Sequence, residues 1–331
     1  MIKVENLTKE FKINQKYPGF KGAIKSFFST KYTTKTAVDG IDFEINDGEI
    51  VGYIGANGAG KSTTIKMMTG ILTPTSGKVI VNGLVPYENR EKNAKNIGVV
   101  FGQKTQLWWD LPISETFSLL KDIYGVSDED FEERMTFLKN ILGLEEFFLS
   151  PVRTLSLGQR MRADLAAALI HNPKIIYLDE PTIGLDVVVK ESVRKAIKEI
   201  NQKYGTTIIL TTHDLNDIEE LCSRIIIIDK GKKIYDGELN GVKEEFGYLT
   251  TVEIQVKDSI DIDDIKFDDS IMDDDFKKEF KDNKLSITFN RNKASSADII
   301  GKVMKKNKVV DFLIKETSIE DIVKKMYRNE V

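Results

Sequence analysis

The octapeptide Gly55-Ala56-Asn57-Gly58-Ala59-Gly60-Lys61-Ser62 stands between an apolar run, 49–54, and a stretch, 63–71, that carries Ile65, Met68 and then Leu72 at helical spacing. Strand, glycine loop and helix in that order leave few folding choices. Glycines let successive backbone N–H groups turn inward around an anion, and the start of the following helix adds its partial positive charge. Lys61 supplies a point charge and the Ser62 hydroxyl can ligate Mg2+, so the pattern is that of a loop cradling the β- and γ-phosphates of a nucleotide. A chance glycine turn ahead of Lys-Ser would lack the flanking strand and helix.

Further β-rich runs at 78–81, 97–101, 175–178, 207–210 and 224–228 alternate with helix-compatible stretches. This alternation predicts an α/β fold with a largely parallel sheet. Asp229-Lys230-Gly231-Lys232 predicts a hairpin turn after the last run. Between Gly102 and Pro173 no strand pattern stands out; the stretches 114–124, 130–142 and 156–170 look helical and predict an inserted helical subdomain at about 103–172. Beyond Asn240, strand-like 251–256 and 285–289, helix-like 296–306, a run at 309–314 and a closing helix at 318–326 predict a small α+β domain.

Charge and composition narrow the function. The 331 residues carry 48 Lys and Arg against 52 Asp and Glu, a net charge of −4, without the basic excess of a chain that coats nucleic acid. No nucleic-acid partner is expected. One cysteine, Cys222, allows no intramolecular disulfide, and two histidines add little toward structural zinc, which points to a reducing compartment. The longest aliphatic run, 225–228, falls far short of the ~20 apolar residues that span a bilayer, and Met1-Ile2-Lys3-Val4-Glu5 does not open a secretory signal. Any work at a membrane is therefore expected from outside the lipid. Residues 11–38 contain six lysines and no acidic residue, interleaved with Tyr17, Phe20, Phe27, Phe28 and Tyr32. This cationic insertion, at about 12–36, reads either as a solvated loop or as a surface against anionic head groups or a membrane partner; the aromatics favour the second. Residues 258–275 hold nine aspartates against Lys266 and predict a solvated, partly flexible surface.

Lys174-Ile175-Ile176-Tyr177-Leu178-Asp179-Glu180 is an apolar strand that delivers two carboxylates at its C-terminal end, where open α/β sheets place their ligands. Asp179 is positioned to hold Mg2+, and Glu180, one residue beyond, to polarise an attacking water in phosphoryl transfer. Upstream lies Leu155-Ser156-Leu157-Gly158-Gln159. With these ordered motifs, residues 1–238 resemble the nucleotide-binding subunit of an ATP-binding-cassette (ABC) transporter, in the branch that pairs with separate ABC-2-like exporter permeases.

The resemblance implies a P-loop NTPase (RecA-like) core with an antiparallel β subdomain and the helical insert over 1–239, followed by an accessory or regulatory α+β domain at 240–331. It implies ATP and Mg2+ as ligands. Gly55, Asn57, Gly58, Gly60, Lys61, Ser62 and Thr63 would bind nucleotide, with Ser62, Gln103 and Asp179 around the metal. Glu180, His213 and Gln103 would serve hydrolysis, Gln106 being a competing candidate for the Gln103 role. Phe11 would stack on the adenine, with Tyr17 as the alternative. Ser156, Gly158 and Gln159 would reach the γ-phosphate held by a second copy, and Asp186, in Pro181-Thr182-Ile183-Gly184-Leu185-Asp186, would sense that copy. Leu157 departs from the family's usual glycine. Trp108 and Trp109 would anchor a permease unless they tuck into the helical core. His171 reads as a residue at a helix C-terminus. The implied setting is cytoplasmic, peripheral on the cytoplasmic face of the cell membrane, in a homodimer that powers an integral membrane permease by head-to-tail closure. An import subunit with a regulatory C-terminal domain is the alternative; a soluble ABC ATPase of translation or chromosome maintenance fits less well, because there is neither a second cassette nor a long coiled coil.

Overall fold

A computed structural model describes residues 1–14, 32–102, 104–257, 260, 265–268, 270–272 and 275–328. Two compact units are present, Met1–Gly237 and Glu238–Val331. The first runs β1 (Ile2–Asn14), β2 (Tyr32–Ile45), β3 (Ile50–Gly55), α1 (Lys61–Met68), β4 (Ser76–Val81), α2 (Arg90–Ala94), β5 (Ile97–Phe101), α3 (Ile113–Tyr124), α4 (Asp128–Leu142), α5 (Leu157–Ala167), β6 (Ile175–Asp179), α6 (Val187–Tyr204), β7 (Thr207–Thr211), α7 (Leu215–Leu221), β8 (Arg224–Asp229) and β9 (Lys232–Glu238).

Six strands form one sheet in the order β5-β6-β7-β3-β8-β9, and every pairing from β5 through β8 is parallel. Its central strands are continuous aliphatic runs such as Ile225–Ile226–Ile227–Ile228, all buried. A parallel sheet covered on both faces requires such runs, whereas a half-exposed sheet would alternate. The hairpin turn into β9 has Lys230 and Gly231 both at positive φ, 46° and 83°, the geometry that fits the twist of the flanking strands.

A second sheet, β2-β1-β4, is antiparallel. Ile2, Val4 and Leu7 of β1, with Val38, Ile41, Phe43 and Ile45 of β2, bury one face against Met67 and Met68 of α1 and Val51 and Tyr53 of β3. The cationic insertion was expected to begin near residue 12, but both of its ends belong to this sheet: Lys12 pairs with Thr34 and Asn14 with Tyr32. Its middle, 15–31, lies outside the described residues, and Tyr17 with it. No described strand interrupts 104–172, where α3 and α4 both pack on α5.

The second unit comprises α8 (Leu239–Phe246), β10 (Leu249–Val256), β11 (Lys277–Lys281), β12 (Lys284–Asn290), α9 (Ser296–Met304), β13 (Val309–Glu316) and α10 (Ile319–Arg328). Its antiparallel sheet has the order β11-β12-β10-β13. Val252, Ile254, Leu285, Ile287 and Phe289 form a core with Ile299 and Val303 of α9. The acidic stretch departs from the expected solvated surface: Ile265, Phe267 and Ile271, spaced between aspartates, are buried in this core, while Asp268 reaches Lys302 of α9 at 2.5 Å. Charge counting misses apolar residues that insert singly. No helix among the described residues is long and apolar enough to cross a membrane.

Candidate functional site

The loops that leave β3, β6 and β7, three adjacent parallel strands, start at the same edge of the sheet. After β3, Gly60 caps the N-terminus of α1 at φ 112°, and a Cβ there would lie 2.5 Å from the Ala37 carbonyl oxygen. Strand β2 presses on the loop closely enough to admit only glycine. The turn after β8 braces the loop, since the Gly231 N–H donates to the Ala59 oxygen at 3.0 Å. Lys61 is buried, and its Nζ donates to the carbonyl oxygens of Gly55 (2.6 Å) and Ala56 (3.3 Å). Burial lowers the Lys61 pKa, and the charges of Glu180 and Asp179 oppose that shift. Asn57, Gly58, Gly60, Lys61, Ser62 and Thr63 line an open cleft of about 900 Å³ together with Phe11, Asp179 and Glu180.

At the end of β6, the Thr211 hydroxyl donates to Asp179 Oδ1, and the Gly102 N–H donates to the Asp179 carbonyl at 2.8 Å. Glu180 adopts φ 56°, a left-handed conformation that costs a residue with a Cβ about 1–2 kcal/mol. Three contacts hold it there. Its N–H donates to the Thr211 oxygen (2.8 Å), its carbonyl accepts from the Ile183 N–H (3.3 Å), and Gly102 lies so close that a Cβ on it would meet the Glu180 oxygen at 2.5 Å. His213, after β7, places Nδ1 3.3 Å from Glu180 Oε1, with the imidazole exposed and the carboxylate largely covered.

Both flanking loops are tied to one buried carboxylate that sequence reasoning missed. Asp217 of α7 accepts from the Thr182 hydroxyl, from the Thr212 hydroxyl at 3.3 Å and from Arg194 Nε at 2.7 Å. It thereby links the segment after Glu180 to the segment carrying His213. The available signal was a charged residue on the helix face that carries Ile218 and Leu221, which are buried.

Other expected residues stand apart. Ser156, Gly158 and Gln159 are not among the described residues of the cleft; Ser156 caps α5 by accepting from the Gln159 N–H (3.2 Å), while the Gln159 side chain accepts from the Ser156 N–H (2.9 Å). Asp186 caps α6, accepting from the Val189 N–H at 3.0 Å. Gln103 lies outside the described residues. Gln106 is committed to Asp164, its N–H donating to Oδ1 and its side-chain amide to the backbone oxygen, both at 3.0 Å. Phe11, paired with Lys35 across β1 and β2, lines the cleft partly exposed. Trp108 and Trp109 are 41% and 52% exposed, so neither ring tucks into the helical core. His171 does not end α5 but sits beyond it in a turn, stacked on Tyr124 with ring centroids 3.8 Å apart.

Comparison with known proteins reports on the same region. A sequence model described as ABC transporter matches residues 38–183. The chain is 34% identical over 225 residues to the linearmycin resistance ATP-binding protein of Bacillus subtilis, covering 68% of this chain and 72% of that one. It belongs to the ABC transporter ATP-binding family. This ABC ATPase is also 37% identical over 218 residues to the methionine import ATP-binding protein of Halalkalibacterium halodurans, and the match spans 65% of the chain and 64% of that relative's length. Among solved structures, a dimeric ATP-binding cassette in a post-hydrolysis state with ADP and Pi has a TM-score of 0.60 at 28% identity, over 72% of this chain and 99% of that one. The fold of the ABC ATPase is accordingly that of a P-loop NTPase, with the parallel sheet carrying the glycine loop and the antiparallel sheet beside it.

Proposed function

We propose that the chain is the ATP-hydrolysing subunit of an exporter whose substrate path lies in a separate membrane permease, and that two copies close head to tail on two ATP molecules. The observation that carries this reading is the convergence of Lys61, Asp179 and Glu180 on one cleft, with His213 on the Glu180 carboxylate. Lys61 and the loop amides bind the phosphates. The Ser62 hydroxyl and the Asp179 carboxylate are hard oxygen donors suited to Mg2+, which binds few protein groups and keeps phosphate and water ligands. Bound there, Mg2+ would neutralise phosphate charge. Glu180 orients the attacking water and takes its proton, with His213 steadying the carboxylate and reaching the γ-phosphate. Phe11 stacks on the adenine.

Ser156, Gly158 and Gln159 act on the nucleotide of the second copy, and Asp186 senses that copy; the separation of these four from the described residues of the cleft supports a composite site, in which Gln103 joins Ser62 and Asp179 around the metal and serves hydrolysis. The exposed Trp108 and Trp109 contact the permease at the cytoplasmic face of the cell membrane, with the cationic segment against anionic lipid. The resistance protein among the relatives supports export; the methionine import relative makes import the competing reading. Glu180→Gln should retain ATP binding, accumulate Mg-ATP dimer and lose about 10²–10⁴-fold in turnover. Hydrolysis at the parental rate would overturn the role of Glu180. Capture of this variant from detergent-solubilised membranes should bring multi-span proteins; recovery of ribosomal or DNA-associated proteins alone would overturn the transport reading.

A further inference from the structure

The two edges of the sheet in the second unit are unlike. At one edge, β11 reads Lys-Lys-Glu-Phe-Lys, a charged strand of the kind that blocks association. At the other, β13 exposes Val310 (66%), Phe312 (49%), Leu313 (53%) and Ile314 (43%), apolar on both faces of the strand. An exposed apolar edge with no neighbouring strand is a template for another strand.

We propose that this edge pairs with the same edge of a second copy, antiparallel about a two-fold axis at Leu313, to give a continuous eight-stranded sheet. The backbone sets the parity. The Phe312 N–H donates to its neighbour's carboxylate, Asp311 Oδ1, at 2.8 Å, so it points away from β10; strand pairing exchanges this bond for one to the second copy's backbone and frees the Asp311 carboxylate. Alternate residues share that direction, which makes Phe312, Ile314 and Glu316 the outward-bonding residues, while a register shift against β10 interrupts the alternation at Val310. Two such edges must place outward residues opposite outward residues.

Among the registers that do so, the one centred on Leu313 sets Asp311 opposite Lys315 of the second copy at both ends, and Phe312 opposite Ile314. Moving the axis by one residue to either side puts Asp311 or Lys315 opposite Leu313 and leaves the charges unmatched. Opposite charges and apolar pairs directly across the strands favour the first register. Lys315 already lies 2.6 Å from Glu253, which Lys284 approaches at 2.7 Å; the incoming Asp311 would complete an alternating set of two carboxylates and two ammoniums. The contact is isologous, using one patch twice. It is distinct from the nucleotide cleft and needs no ATP, so it would keep two copies together through the whole hydrolysis cycle and raise their effective concentration for closure. Only that last consequence rests on the proposed function.

The register makes a sharp test. Leu313 faces its own copy in a non-hydrogen-bonded pair, where Cα atoms lie about 4.5 Å apart, within disulfide range. Full-length Leu313→Cys, in nucleotide-free buffer with a mild oxidant, should form a disulfide-linked dimer several-fold faster than Val310→Cys, which lies three residues from the axis. The native thiol adds little background, because Cys222 is buried and its pKa is pushed up. Adding Asp311→Lys or Lys315→Asp to Leu313→Cys should each slow cross-linking, and mixing those two double variants should restore it, since the reversed charges then meet. Cross-linking of Leu313→Cys no faster than Val310→Cys, or seen only with ATP, would overturn the proposal. So would a mixture that cross-links no better than its components.

Discussion

The left-handed backbone at Glu180 predicts that the residue assigned to hydrolysis is held at a cost in stability, and two substitutions separate backbone from side chain. Glu180→Ala and Glu180→Gly both remove the carboxylate; only the second removes the Cβ that makes φ 56° unfavourable. Relief of a left-handed conformation is worth about 1–2 kcal/mol. Against it stands the greater freedom of glycine in the unfolded chain, about 0.4–1 kcal/mol. The glycine variant should therefore be the more stable by about 1 kcal/mol, the reverse of the order at an ordinary loop position. For a unit of this size the difference is about 2–4 °C in Tm. Tryptophan fluorescence isolates the transition, because Trp108 and Trp109 are the chain's only tryptophans and both lie in the first unit. Both variants should fail to hydrolyse ATP. An alanine variant as stable as the glycine variant, or more so, would refute the claim that the backbone is strained at this position.

Burial holds the His171 pKa at about 4, below its ordinary 6.5. The folded chain then refuses a proton that the unfolded chain accepts, so the contribution is complete above pH 6.5 and lost as the pH falls toward 4, amounting to about 2–3 kcal/mol by pH 4.5. His171→Phe keeps the stack on Tyr124 without the titration and should lose that much less stability than the parent between pH 7 and 4.5 in urea melts. Gly102→Ala would drive a Cβ to 2.5 Å from the Glu180 oxygen and 3.0 Å from the Asp179 oxygen. Backbone cannot yield as a side chain can, and a shift of about 1 Å at the two carboxylates should lower kcat about 10²-fold while nucleotide binding, assayed separately, persists.

Patterns that repeat locally were readable from the chain. The glycine loop, the buried aliphatic strands and the amphipathic helices of the insert each declare themselves within a few residues. Strand β1 does not, because register shifts at Val4/Leu7, Leu7/Lys9 and Lys9/Glu10 break the two-residue alternation. Strand β11 is so rich in lysine that it reads as a loop, although it pairs with β12 along its length. The burial of Ile265, Phe267 and Ile271 was masked by the aspartates around them. At the site, residue types were legible but their supports were not: Asp217, Thr211 and Gly102 act through contacts with residues distant in sequence. The φ of Glu180 is likewise a product of its neighbours.

Helix α5 begins with four amides that have no carbonyl one turn earlier to receive them. Ser156 gives its N–H to the Gln159 side chain, and the Gln159 N–H goes to the Ser156 hydroxyl. That leaves the amides of Leu157 and Gly158 as the donors this helix end can still offer to an anion. An amide is the same whatever side chain its residue carries. Leucine in place of the usual glycine therefore changes the wall beside the contact, where its Cδ2 comes 3.0 Å from the Cβ position of Gly184, and leaves the donor itself in place.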